Sequence, residues 1–222
     1  MPAFPFAVIG FDLDGTLLDT ARDLGAALNH ALVAGGREPV PLTHIRGLIG
    51  GGARTMIVRA LADQGGGGDA EVDTLFAALI EYYAAHIADH THPFPGAIDA
   101  LDELAALGVK LAVVTNKREA MARRLFGALG LSARFFTIIG GDTLGPGRAK
   151  PAPDLILEML IRAGPGRAAF VGDTTYDVRA AHAANLPCVA VSFGYCDAPA
   201  RDLGANAVID DFAELIPALR RL

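Results

Sequence analysis

Short apolar runs that carry almost no charge and no polar alternation constrain this chain most. They fall at residues 7–11 (AVIGF), 110–115 (KLAVVT), 135–139 (FFTII), 168–172 (AAFVG) and 187–192 (PCVAVS), with a weaker one at 207–209. A half-exposed strand alternates apolar and polar residues; a strand covered on both faces does not. Between the runs lie helical patterns at 97–107, 119–129, 153–163, 176–184 and 212–222. Strands alternating with helices predict an α/β fold, a doubly wound parallel sheet with a Rossmann-like core and right-handed crossovers.

The rhythm fails between residues 20 and 93. That segment offers helical patterns at 21–33, 54–63 and 70–87, a glycine tract at 65–68 read as a flexible loop, and no strand. It returns through Pro93-Phe94-Pro95-Gly96, a hinge-like linker. The reading is a catalytic core of residues 1–19 and 94–222 with an inserted helical cap of residues 20–93. An insertion at this point lies over the carboxyl end of the first strand, where open α/β sheets bind ligands.

Strand ends in this chain are unusually polar. The first run leads into Phe11-Asp12-Leu13-Asp14-Gly15-Thr16, the second into Thr115-Asn116-Lys117, and the run at 168–172 into Asp173-Thr174-Thr175-Tyr176-Asp177; Lys150-Pro151 precedes the helix at 153–163. In a parallel sheet the three strand ends share one edge. Asp12 and Asp14 point to one side of an extended backbone, and Asp173 and Asp177 are one helical turn apart. Four converging carboxylates are strongly unfavourable without a cation. A hard divalent ion with oxygen ligands resolves the conflict, and Mg²⁺ suits better than Ca²⁺.

Taken in order, DxDGTLxDT, a strand ending in TN, KP and GDTxxD resemble the motifs of the haloacid dehalogenase-like hydrolase superfamily over essentially the whole chain. The resemblance implies that Asp12 is a nucleophile forming an aspartyl-phosphate and that Asp14 is the general acid and base. It implies that Asp12, the Asp14 carbonyl and Asp173 hold Mg²⁺, with Asp177 a ligand or positioning it. Thr115 and Asn116 then bind phosphoryl oxygens, joined by N–H groups near Gly15, and Lys150 neutralises the shared charge. The insertion resembles the small helical cap of one branch of that family.

Further stretches resemble the branch that hydrolyses 2-phosphoglycolate: Leu48 to Arg54, Glu81-Tyr82-Tyr83, Gly140 to Leu144, Phe193-Gly194-Tyr195 and Val208 to Phe212. Such a substrate needs N–H groups or a cation from the cap. Gly50 to Gly52 offer the first. Arg54 is read either as a carboxylate fork or as a solvated helix residue. Lys117 is read equally well as a surface residue, and Tyr82 and Tyr83 as packing. His86, His90 and His92 lack a ligand spacing. The aspartate at position 14 argues against dehalogenation, and a segment 20–93 without lysine argues against Schiff-base phosphonate cleavage. Alternatives are a sugar-phosphate phosphatase, a pyrophosphatase, a β-phosphoglucomutase, or a non-catalytic binder of phosphorylated ligands.

The partner expected is thus a small phosphorylated metabolite. A net charge of −6 argues against nucleic acid and anionic membrane surfaces. No apolar run reaches membrane-spanning length. Cys188 and Cys196 fit neither a disulfide framework nor a metal site, so a reducing cytoplasm is the expectation. Cap closure is expected to hinge near Asp19-Thr20 and residues 92–96. The oligomeric state is not legible.

Overall fold

The computed structural model describes residues 4–222. Six parallel strands form one sheet: β1 (Val8–Phe11), β4 (Lys110–Val114), β5 (Thr137–Ile139), β6 (Ala168–Gly172), β7 (Cys188–Val191) and β8 (Ala207–Ile209). Their order is β5-β4-β1-β6-β7-β8. β1 lies between its two main partners, with Phe11 opposite Val113 on β4 and Val171 on β6. The ends of β1, β4 and β6 are therefore side by side, as the strand-end reading requires.

Period-two alternation divides the strand residues between two cores. Ile9, Phe11, Leu111, Val113, Ala169 and Val171 face one side. There they meet α5 (Ala97–Ala106), α6 (Glu119–Ala128) and α9 (Leu215–Arg221), through residues such as Leu104, Phe126 and Leu219. Val8, Ala112, Val114, Phe170 and Ala190 face the other, against α7 (Asp154–Ala163) and α8 (Thr175–Ala183). Both faces are covered, which explains why the strands read as continuous apolar runs.

The segment between β1 and α5 is helical, with α1 (Ala21–Ala34), α2 (Leu42–Ile45), α3 (Ala53–Ala62) and α4 (Asp69–Ala85). It is bounded by an antiparallel ribbon not legible in the sequence: β2 (Leu18–Asp19) pairs with β3 (His92–Pro93). The glycine tract is anchored by Arg37, which donates to the carbonyls of Gln64 and Gly66 and pairs with Glu71. Among the described residues no helix is long and apolar enough to cross a membrane.

Candidate active site

β1 runs out at Phe11, and the next residues turn tightly: Leu17 and Leu18 both donate N–H to the Leu13 carbonyl. Gly15 takes φ +87°, and a Cβ there would lie 2.2 Å from Asp173 Oδ2, so only glycine permits this approach. Asp12 and Asp14 are nearly buried, and Asp173 and Asp177 fully so. Carboxylate oxygens of Asp12, Asp173 and Asp177 all lie within 4.8 Å of one another.

Asp177 is held in place by local chemistry. Its Oδ2 accepts from the N–H groups of Asp173 and Thr174 and from Thr174 Oγ1, closing a capping box at the start of α8. A Cβ on Gly172 would fall 2.3 Å from the Asp177 Cβ, so a glycine is needed under it. Its Oδ1 accepts from Lys150 Nζ at 2.6 Å. Both oxygens are thus engaged by protein. Asp173 accepts from Thr16 Oγ1 at 2.9 Å and from the Tyr195 N–H at 2.7 Å.

Lys150 is the cation of this cluster. Buried at 3 % exposure, its Nζ lies 2.8 Å from Asp12 Oδ1, bonds Asp177, and donates to the Val114 carbonyl. The contact to Asp12 is not aligned as a hydrogen bond, and Asp12 Oδ1 has no other partner among the described residues. Burial pushes the Asp12 carboxyl up to about 6; Lys150 opposes the shift and Asp177 adds to it. Burial, then Asp177 and Asp12, hold Asp173 well above the usual carboxylate range. Three buried carboxylates against a single lysine leave an excess of negative charge, the chemistry a hard divalent cation fits. The residues present therefore suit a metal.

Asp14 turns its side chain the other way. Its Oδ1 accepts from Thr20 Oγ1 at 2.6 Å, and Lys117 Nζ donates to both its oxygens at 2.7 and 2.9 Å. Lys117 is thus a buried residue of the site, not a solvated one. Burial would lower its pKa, but Asp14 and then Tyr83 more than reverse this and raise it. Thr115 is buried at the end of β4, and Asn116 spans the site, donating through Nδ2 to the carbonyls of Gly50 and Lys150.

Two expected contacts look different in the structure. The Gly15 N–H donates to the Leu18 carbonyl at 3.0 Å and is not available to a ligand. The neighbouring N–H groups of Leu13 and Asp14 have no partner among the described residues. Arg54 borders the cavity, but its guanidinium pairs with Asp73 and Asp69 on α4. His86 bonds Asp89, and the three histidines join no ligand cluster among the described residues.

A cavity of about 200 Å³ opens beside Asp12 and Asp14. Its outer wall comes from the inserted helices, through Ile49, Gly50 to Ala53, Met56, Leu79 and Tyr83. The insertion touches the core elsewhere too: Arg59 donates to the Tyr176 hydroxyl at 3.1 Å.

Tyr195 went unassigned in the sequence. Its hydroxyl accepts the N–H groups of Thr20 and Ala21 at 2.7 and 2.9 Å and donates to Asp19 Oδ1, so it closes the start of α1 from across the molecule. Through its own N–H it also holds Asp173. Tyr195→Phe should leave the Thr20 N–H unsatisfied, with the Ala21 N–H keeping only Asp19 Oδ1 at 3.3 Å, and cost about 1–3 kcal/mol of stability, read by urea denaturation. A change within a few tenths would show that water replaces the hydroxyl.

An all-parallel sheet with its carboxylates gathered beyond the middle strands puts them at the edge where open α/β sheets bind ligands. The family model of haloacid dehalogenase-like hydrolases matches residues 9–191, and the chain belongs to this family. It is similar to a phosphoglycolate phosphatase of Agrobacterium fabrum, 43% identical over 98% of this chain and 93% of the relative. One of Caulobacter vibrioides is 41% identical over 94% of this chain and 89% of its own. Among solved structures, CbbY from Rhodobacter sphaeroides in complex with phosphate superposes with a TM-score of 0.79 at 28% identity, covering 96% of this chain and 99% of that one. A predicted phosphoglycolate phosphatase from Haemophilus somnus gives 0.87 at 28% identity, covering 96% and 97%.

Proposed function

We propose that this chain is a Mg²⁺-dependent phosphatase that hydrolyses 2-phosphoglycolate to glycolate and phosphate. The observation that carries the reading is Asp12: a buried carboxylate paired with the Lys150 ammonium at 2.8 Å, with a second carboxylate two residues on. Asp12 attacks phosphorus, and the bond to the leaving alcohol breaks as an aspartyl-phosphate forms. Asp14, on the cavity side, gives its proton to the departing oxygen and later takes one from the attacking water. The Thr115 hydroxyl and the Asn116 N–H hold phosphoryl oxygens, with the free N–H groups of Leu13 and Asp14. Lys150 balances charge shared by Asp12 and the phosphoryl group. Mg²⁺, held by Asp12, Asp173 and the Asp14 carbonyl, supplies further electrostatic stabilisation of that charge when bound.

Residues 20–93 act in this reading as a cap. Their cavity wall excludes water from the reacting centre, and the β2–β3 ribbon is the stem on which they sit. The relatives designated phosphoglycolate phosphatases support the substrate. The test is phosphate release from 2-phosphoglycolate, a panel of sugar phosphates and pyrophosphate, each with Mg²⁺ and with chelator. Expected is a preference for phosphoglycolate that disappears with chelator. Turnover confined to sugar phosphates or pyrophosphate would overturn the substrate and leave the chemistry.

A further inference from the structure

We propose that Lys117, the Tyr83 hydroxyl and the open amino end of α3 form a subsite for the anionic group of the leaving alcohol. On the reading above, that group is the substrate carboxylate. All three border the cavity that holds Asp12 and Asp14.

Tyr83 is the least expected member. It is 2 % exposed, and its hydroxyl makes no well-aligned hydrogen bond among the described residues, although it lies close enough to the Lys117 ammonium to help raise that group's pKa. A buried hydroxyl without a partner costs about 1–3 kcal/mol, a loss that phenylalanine would avoid. Burial pushes its pKa up to about 12, so at neutral pH it keeps its proton and can only be of use as a donor or weak acceptor. Lys117 Nζ lies 4.8 Å from the centre of the Tyr83 ring, 8 % exposed like the carboxylate it bonds. An ammonium has three protons; two go to Asp14, and the third is shared between the neighbouring Tyr83 hydroxyl and any ligand that enters the cavity.

The start of α3 adds to this. Gly52 precedes the helix at φ +86°, no side chain caps it, and its first turn carries no acidic residue. The N–H groups of Gly51, Gly52, Ala53 and Arg54 have no partner among the described residues. Such an end carries roughly half a positive charge and favours an anion.

These donors are surrounded by Ile49, Met56, Phe76, Leu79 and Met121. In an apolar cavity each donor interacts more strongly than in water, and a ligand must offer acceptors to match. A carboxylate does so with two oxygens. Arg54 is paired with Asp69 and Asp73, so Lys117 is the cation of the lining nearest Asp14. Lys117 would then be shared between Asp14 and the substrate, tying recognition of the acid group to the residue that protonates the leaving oxygen.

The experiment compares 2-phosphoglycolate with ethyl phosphate, in which a methyl group replaces the carboxylate, for the wild type, Tyr83→Phe and Lys117→Met. The quantity read is the ratio of kcat/KM for the two esters. The wild type should favour phosphoglycolate strongly. Tyr83→Phe should lower the ratio about 10-fold, mainly through KM for phosphoglycolate, and should melt close to the wild type, because the hydroxyl makes no well-aligned protein bond. Lys117→Met should slow both esters, since it also touches Asp14, and should lower the ratio about 100-fold. A wild-type preference that both variants keep within about twofold would overturn the subsite alone. A wild type that does not distinguish the two esters would overturn the substrate reading and the subsite with it.

Discussion

Asp12→Asn should reduce phosphate release by roughly 10⁴-fold or more, because an amide is a poor nucleophile and no other carboxylate reaches the same point. The same substitution should leave the metal-free protein as stable as the wild type or more so at neutral pH. The Asp12 pKa lies at about 6, above its unfolded value, so the folded state favours the neutral form. Below the unfolded pKa the group is neutral in both states and burial carries no charge penalty. Above the folded pKa it is ionised in both, and the full penalty falls on the native state. An asparagine is neutral throughout, so its advantage should be absent near pH 4 and complete above pH 6. Melting curves without metal at both pH values check this. Adding Mg²⁺ should stabilise the wild type more than the variant, by the affinity difference between the two. A variant that is inactive and also much less stable at pH 7.5 would mean that Asp12 is a structural partner of Lys150 first. A variant that still turns over would remove Asp12 from the nucleophile's role.

What the sequence made legible is what local chain geometry decides. Uncharged strands reveal that both sheet faces are covered, and polar residues just past the runs mark the edge where the carboxylates gather. Asp173 and Asp177 are readable as a pair because one helical turn separates them. Contacts that join the insertion to the core were not readable. Lys117 sits in the bend just before α6, where lysine usually points to water; its partner Asp14 is 103 residues earlier and the Tyr83 ring comes from α4. Arg54 looks available until α4 supplies Asp69 and Asp73. The Gly15 N–H looks free until β2 folds back and Leu18 takes it. The β2–β3 ribbon is two residues on each side, too short for any alternation to register. Tyr195 bonds residues 175 and 174 positions away, and nothing near it in the chain hints at that.

Lys150→Met should destabilise the protein by about 3–5 kcal/mol at neutral pH, the size expected when one partner of a buried ion cluster is removed. That is a large part of the 5–15 kcal/mol available to a typical domain. Three carboxylates, Asp12, Asp173 and Asp177, would be left together without their buried cation. Methionine fills much of the volume, so lost packing is a minor part. The loss must then depend on pH in a definite direction. Lys150 is the main influence holding the Asp12 pKa down against burial, so its removal lets that pKa rise further. Protonated carboxylates no longer repel, so the deficit should shrink as pH falls from 7.5 toward 4.5 and grow as pH rises through 6 and above. Mg²⁺ should restore part of the stability at pH 7.5 by returning positive charge to the cluster. It should not restore turnover, because the charge shared by Asp12 and the phosphoryl group would still lack Lys150. Urea denaturation at the two pH values, with and without Mg²⁺, separates these terms. An equal deficit at pH 7.5 and 4.5 would mean that Lys150 stabilises the fold through its stem and its bond to Val114, and that the carboxylates do not depend on its charge.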